Sequence, residues 1–146
     1  SIMNIKKLFL NLVVILLVSS NSIAAEVIVE MLNKQGKESM IYSKKIVKIE
    51  VGDSIIWKAT TKGHNVEFIK GGVPKGVEKF KSKFNQDVKY NFTVPGIYAY
   101  WCTPHKNMGM IGFVVVGNDK SNIDAIKSIR YSAKSKKIAP DLINNL

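Results

Sequence analysis

Nine consecutive residues, Cys102-Thr103-Pro104-His105-Lys106-Asn107-Met108-Gly109-Met110, bring together a thiol, an imidazole and a thioether at Cys-x2-His-x4-Met spacing. A second imidazole stands upstream in Gly63-His64-Asn65. The chain has one Cys and two His, and all three fall in these two segments. One thiolate, two imidazoles and a weak axial thioether suit a copper ion that alternates between Cu(I) and Cu(II). The pattern predicts a small electron-transfer protein with one copper ion as cofactor.

Each of these residues also has a plainer use. A buried free Cys behaves as a small hydrophobe, and a His in a loop is commonly just exposed. Cys102, however, ends an apolar stretch and enters a loop stiffened by Pro104, with His105 three residues on. His64 gains weight because the chain holds no third His. Met108 and Met110 compete for the axial position, and spacing leaves both open. Asn65 is placed to hydrogen-bond the Cys102 loop and so tune the thiolate; its plainer role is a turn residue. By strand alternation Tyr100 points with Cys102, and Trp101 points away.

The same His2Cys set also suits zinc. Copper binds more tightly in the divalent series, although availability can override affinity. Three strong donors and one weak one leave no open position for a substrate, so the set argues against an enzyme. A multicopper catalytic cluster would need further His residues, and none remain. A copper carrier or metallochaperone is the alternative; it would need a more open, exchangeable site.

The elements that must position these residues read mainly as strands. Val27, Val29 and Met31 alternate with Ile28, Glu30 and Leu32, and Asn33 to Ser39 reads as a polar turn around Gly36. Met40-Ile41-Tyr42, then Ile46 to Val51, then Ser54 to Trp57 follow as short β segments, with Gly52-Asp53 as a turn. Val66 to Ile69 follows His64. Lys70 to Asn85 reads as a long surface loop with at most one helical turn. Val88, Tyr90 and Phe92 alternate with polar residues, Pro95-Gly96 turns the chain, and Ile97 to Trp101 delivers Cys102. Ile111 to Val116 is an apolar strand closed by Gly117. Short strands with this punctuation predict an antiparallel β-sandwich or barrel. In the tail, Asn118 or Asp119 can cap a helix carrying Ile123, Ile126 and Ile129. A second helix is expected over Ala133 to Asn145, with Ile138, Leu142 and Ile143 inward and Pro140 limiting or kinking it.

The first residues predict export. Lys6 and Lys7 precede the apolar run Leu8 to Val18, and small residues lead to Ala25. That is the pattern of a secretory signal peptide over residues 1–24, cut before Ala25 or Glu26. The run of about eleven residues is short of the roughly twenty that span a bilayer. Residues 25–117 then form the sandwich and 118–146 a helical extension on the same domain. The chain carries 22 Lys and Arg against 11 Asp and Glu, a formal charge of +11. An exported cationic protein rarely meets nucleic acid, so an acidic protein surface is the expected partner. In an oxidising compartment a lone Cys has no internal disulfide partner and is either inert or metal-bound.

Taken together, several motifs resemble the pseudoazurins of the cupredoxin superfamily. They are Glu26-Val27, Met31-Leu32-Asn33-Lys34, Gly63-His64-Asn65-Val66-Glu67, Phe80-Lys81-Ser82-Lys83, Pro95-Gly96-Ile97-Tyr98, Cys102-Thr103-Pro104-His105 and Met108-Gly109-Met110-Ile111-Gly112. The resemblance covers nearly all of residues 26–146 and includes the two-helix extension, which plastocyanin and amicyanin lack. It implies an eight-stranded Greek-key sandwich and one type 1 copper. His64, Cys102 and His105 would be the strong ligands and Met110 the weak axial one, because amicyanin's shorter loop would instead match Met108. Asn65, Thr103, Pro104 and Met108 would surround the ligands. The resemblance further implies a periplasmic monomer that passes electrons to copper nitrite reductase or a similar redox enzyme. Docking would use a lysine-ringed patch at the exposed His, matched here by Lys62, Lys70 and Lys106, with Lys34, Lys75 and Lys81 as further candidates. Two departures stand out: Lys106-Asn107, where an aromatic and a small or apolar residue are usual, and Trp101, where a small or basic residue is usual.

Overall fold

The structure, a computed structural model, describes residues 19–146. The apolar run expected to lead export, Leu8 to Val18, lies outside them. Eight strands form two four-stranded sheets: β1 (Glu26–Gln35), β2 (Glu38–Tyr42), β3 (Ile46–Ile49), β4 (Ser54–Lys58), β5 (Glu67–Phe68), β6 (Val88–Asn91), β7 (Gly96–Trp101) and β8 (Ile111–Val116). One sheet has the order β2-β1-β4-β6 and the other β3-β8-β7-β5. The sheets pack face to face as a β-sandwich. They are mixed rather than antiparallel as expected: β1 pairs β4 in parallel, and β3 pairs β8 in parallel. Alternation within a strand reports which face is buried and carries no information about the direction of its neighbour, so these pairings were not readable.

The core between the sheets contains Val29 and Met31 of β1, Ile55 and Trp57 of β4, Tyr98 and Tyr100 of β7, and Val114 and Val116 of β8. Trp57 and Tyr42 both meet the Tyr100 ring edge-on, with centroids 5.2 and 4.8 Å apart. Such pairs add about 1 kcal/mol each beyond the area they bury. The opposite face of β7 and β8 presents Ile97, Ala99, Ile111, Phe113 and Val115, which are covered by the C-terminal helices. A strand covered on both faces reads as a continuous apolar run, and all six residues of β8 are buried.

Several boundaries differ from expectation for local reasons. β1 continues to Gln35, so the first hairpin turns on Gly36-Lys37 alone; Gly36 has φ +60°, which costs glycine little. Residues 70–85 contain no helix; the segment is held instead by a bridge from Lys81 to Glu67 and by Phe80 packing on the core. In the tail, α1 is only Ile123–Lys127 and begins after Asn122, not Asn118 or Asp119. Asp119 Oδ1 accepts from the amide and hydroxyl of Ser121 instead, and the Asn122 side chain is taken by the Ile97 backbone. α2 is Lys134–Asn144 and contains Pro140, past which the helix runs one further turn. Ala139 and Ile143 are buried, with Ile138 and Leu142 packed beside them.

Gly112 of β8 marks a close approach. A Cβ built there would fall on the ring carbon and hydroxyl of Tyr100. Tyr100 is fully buried and pinned between Tyr42 and Trp57, so it has nowhere to move. Gly112→Ala is expected to cost about 3 kcal/mol, the upper end of ordinary overpacking. Urea unfolding of the metal-free protein checks this; an unchanged midpoint would refute the close contact.

Candidate metal centre

Cys102 follows the last residue of β7 and opens a short 3-10 helix, Thr103–Met108, with Pro104 in its first turn. The nine-residue loop is therefore partly helical, which its sequence did not reveal. Gly109 ends the turn in a left-handed conformation, φ +88°. The chain then returns to β8, and the Cys102 amide donates to the Met110 carbonyl at 3.0 Å. The two ends of the loop are thus pinned as the last rung of the β7–β8 ladder.

His64 comes from the β4–β5 connection and meets this loop from 38 residues away. Cys102 Sγ lies 3.7 Å from His64 Nδ1 and 3.5 Å from His105 Nδ1, and the two Nδ1 atoms are 3.2 Å apart. The circle through these three atoms has a radius of about 2.0 Å, close to the 2.0–2.1 Å of a metal–nitrogen bond and near the 2.3 Å of a metal–sulfur bond. A first-row metal ion fits at its centre once the sulfur gives by about 0.3 Å. His64 and Cys102 are fully buried, and His105 is half-buried.

Outer hydrogen bonds aim these donors. His64 Nε2 lies 2.7 Å from Asn33 Oδ1. An amide oxygen only accepts, so Nε2 carries the proton and Nδ1 keeps its lone pair toward the other donors. Burial lowers the His64 pKa, and the nearby His105 lowers it further. Burial likewise lowers that of His105. Both imidazoles are therefore held neutral, as metal ligation requires. Burial raises the Cys102 pKa, while the backbone amides of Asn65 and His105 pull it down.

Asn65 is buried and clamps the two segments together. Its Oδ1 accepts from the Thr103 amide and its Nδ2 donates to Thr103 Oγ1, both at 2.8 Å. Thr103 Oγ1 donates onward to Glu67, which also accepts from Trp101 Nε1 and pairs with Lys81. Burial pushes the Glu67 carboxyl up, but these three donors outweigh it and hold its pKa below the ordinary value. The Tyr42 hydroxyl donates to the Asn65 carbonyl at 2.7 Å.

The other predicted residues divide clearly. Met110 is fully buried in the same cluster as Cys102, while Met108 is 44% exposed. Pro104 is exposed. Lys62 and Lys70 are exposed, and Lys106 Nζ stands over the Trp101 ring at 4.9 Å from its centroid. Lys70 and Lys81 line a groove beside Trp101. Sequence reading missed Asn33 and Glu67 as supports of the site. Both lay within quoted motifs, but nothing in spacing pairs them with His64 or Thr103. It also missed the bracing of the loop by the C-terminal extension. Ser135 Oγ donates to the Lys106 carbonyl, and Ser132 Oγ donates to Asn107 Oδ1.

A profile of copper-binding proteins of the plastocyanin/azurin family matches residues 29–117. Pseudoazurin from Paracoccus pantotrophus is 44% identical over 108 residues, covering 74% of each chain. Solved pseudoazurin structures superpose closely. That from Methylobacterium extorquens AM1 has a TM-score of 0.76 at 37% identity, covering 83% of this chain and 99% of the other. That from Hyphomicrobium denitrificans has a TM-score of 0.78 at 35% identity, covering 83% and 98%. The chain belongs to the pseudoazurin family. Copper is its cofactor, and the family is one of electron carriers rather than catalysts.

Removing the Asn65 side chain strands the Thr103 amide in a partly buried site and leaves the Thr103 hydroxyl only its bond to Glu67. Asn65→Ala is expected to cost about 2 kcal/mol, the scale for leaving buried polar groups unpaired. It should also weaken copper retention against a chelator, because His64 and Cys102 are no longer clamped. Equal stability and retention in the variant would show that the clamp is dispensable.

Proposed function

We propose that this protein is a periplasmic type 1 copper electron carrier, with His64, Cys102 and His105 as strong ligands and Met110 as the weak axial one. The observation that carries this reading is the triangle of three donor atoms with sides of 3.2, 3.5 and 3.7 Å, already at ligation distance from a common centre. Copper, when bound, supplies the reversible one-electron couple. The chain supplies a fixed cage. His64 is oriented by Asn33, Cys102 is pinned by the Met110 carbonyl and the Asn65 clamp, and His105 is held in a 3-10 turn. Donors that cannot relax keep the rearrangement between oxidation states small, and small rearrangement makes electron transfer fast. Burial of Met110 and exposure of Met108 favour Met110 as the axial sulfur.

His105 is the least buried of the three donors, so its ring is the natural edge for electron exchange at the loop. The partner is a redox enzyme with an acidic surface, such as copper nitrite reductase, met at this edge by Lys62 and Lys106. The family resemblance supports that choice, together with the strongly basic composition.

Export fits one contact at the start of the sandwich. The Ala25 amide donates to Asp53 Oδ1 at 2.8 Å, and Asp53 is buried. Cleavage before Ala25 turns that amide into an ammonium facing a carboxylate, whereas cleavage before Glu26 removes it. Intact mass of the exported protein is expected to place Ala25 first; a chain starting at Glu26 would refute this.

The electron-carrier reading is tested by the visible spectrum of the copper-loaded, oxidised protein. An intense band toward the red is expected, bleached by a mild reductant and absent in Cys102→Ala. A colourless wild-type protein would sink the reading. Met110→Gln is expected to keep the copper and lower the reduction potential, with Met108→Gln near wild type. The reverse ranking would move the axial ligand to Met108.

A further inference from the structure

We infer that the groove beside Trp101, roofed by the C-terminal extension, is a second docking surface for an acidic redox protein, with electrons crossing through the Trp101 indole. This rests on the electron-carrier reading and adds to it a route that does not use the His105 edge. Trp101 points away from the core that holds Cys102 and packs with the residues under the helices. Its indole lines a groove of about 670 Å³ whose floor is Phe68, Phe80 and Ile129. A second groove of about 780 Å³ lies between α1 and α2 and shares Ile129 and Arg130 with the first. The two form one apolar trough bent around those residues.

The rim of this trough is positive. Lys70, Lys79 and Arg130 border the part beside Trp101, and Lys127 and Lys136 border the part between the helices. None of these five makes an ion pair among the described residues. Glu67 is the acidic residue in the lining, and its carboxylate is taken by Trp101, Thr103 and Lys81. Arg130 is the one arginine in a chain whose other fixed cations are all lysine, and a guanidinium grips a carboxylate through two parallel hydrogen bonds. Unpaired cations around an apolar floor complement a segment that alternates Asp or Glu with apolar side chains. Free cations that meet no carboxylate within their own chain are available to one on a partner.

Trp101 connects this trough to the metal centre. It is covalently adjacent to Cys102, so an electron reaches the indole through a few bonds of one backbone. Its Nε1 is held by Glu67 at 3.0 Å, and Lys106 covers its face, so the ring is fixed. With copper held by His64, Cys102, His105 and Met110, the exchange would move one electron from the reduced site to the oxidised centre of the partner, with no bond formed or broken and no proton moved.

The test uses the mature, copper-loaded protein. In the reduced, 15N-labelled state, poly-L-glutamate serves as the acidic probe. Shifts are expected at the Trp101 indole, Lys79, Ile129 and Arg130, fading as salt screens the charges. Lys79→Glu combined with Arg130→Glu should weaken this binding by about tenfold or more, the scale of local electrostatic focusing. Oxidation of the reduced protein by hexacyanoferrate(III), an anion, should slow in that double variant. It should slow also in Trp101→Leu and recover in Trp101→Phe. Oxidation by the cation tris(phenanthroline)cobalt(III) should not slow on charge reversal. Shifts confined to the Lys62 and His105 edge, or hexacyanoferrate rates unchanged in both variants, would overturn the proposal. Groove shifts with phosphatidylglycerol vesicles but not with polyglutamate would also overturn it, in favour of a membrane. A wild-type protein without the red band fails earlier, as an electron carrier, and is recognised by its spectrum alone.

Discussion

Three donor atoms brought to one point must be held there by the rest of the chain. His64 Nδ1, His105 Nδ1 and Cys102 Sγ stand within 3.7 Å of each other, with His64 and Cys102 fully buried. A thiol or ring N–H can bond within this triangle, but such weak bonds cannot hold together segments 38 residues apart. The geometry must be imposed from outside, and most of the nearby polar chemistry serves that purpose. Asn33 fixes one ring, the Asn65–Thr103 pair fixes the relation between the two segments, and the Met110 carbonyl fixes the entry of the loop. Electrostatic preorganisation of this kind is built once, at folding, and is not repeated at each turnover.

The sandwich supports that work through its least exposed strands. β7 and β8 form the ladder from which the ligand loop projects, and they are covered by the opposing sheet on one side and by the helices on the other. Tyr100 sits two residues before Cys102, wedged against Gly112 and two aromatic rings. Interiors packed this closely transmit displacement instead of absorbing it. A shift in the ladder would therefore move the Cys102 sulfur. Close packing and the absence of a β-carbon at Gly112 are two sides of the same requirement.

Much of this was legible because the chemistry is carried by rare residues. One Cys and two His in a chain of 146 leave few ways to assemble a soft metal site. Strand content was legible from alternation, and β8 from its unbroken apolar run. The parallel pairings were not, since alternation is blind to the neighbouring strand. The helix starting after Asn122 was also missed. Asp119 is an equally good cap by residue type, but its side chain is already bonded to Ser121. Asn33 and Glu67 were invisible as supports, because their partners lie 31 and 36 residues away and no periodicity connects them. The choice between Met108 and Met110 could not be made from spacing. Burial separates them, since the 3-10 turn ends at Met108 and leaves it outside while Gly109 swings Met110 into the core.

The C-terminal extension changes meaning once the loop is seen in place. By sequence it is a basic tail with helical periodicity, and its simplest role is to cover the outer face of β7 and β8. It also reaches the ligand loop directly. Ser135, itself buried, donates to the carbonyl of Lys106, the residue after His105, and Ser132 holds the Asn107 side chain. Gly109 lies under Ile138 and Lys134, so closely that a Cβ there would press on the Ile138 side chain at 3.2 Å. Lys106-Asn107 is thus where the loop and the extension are tied. A Lys at 106 projects over Trp101, while its backbone is held by α2. Substitution at one of these positions therefore acts on both the His105 edge and the Trp101 groove. In this chain those two surfaces are mechanically one structure, joined through the loop that carries Cys102 and His105.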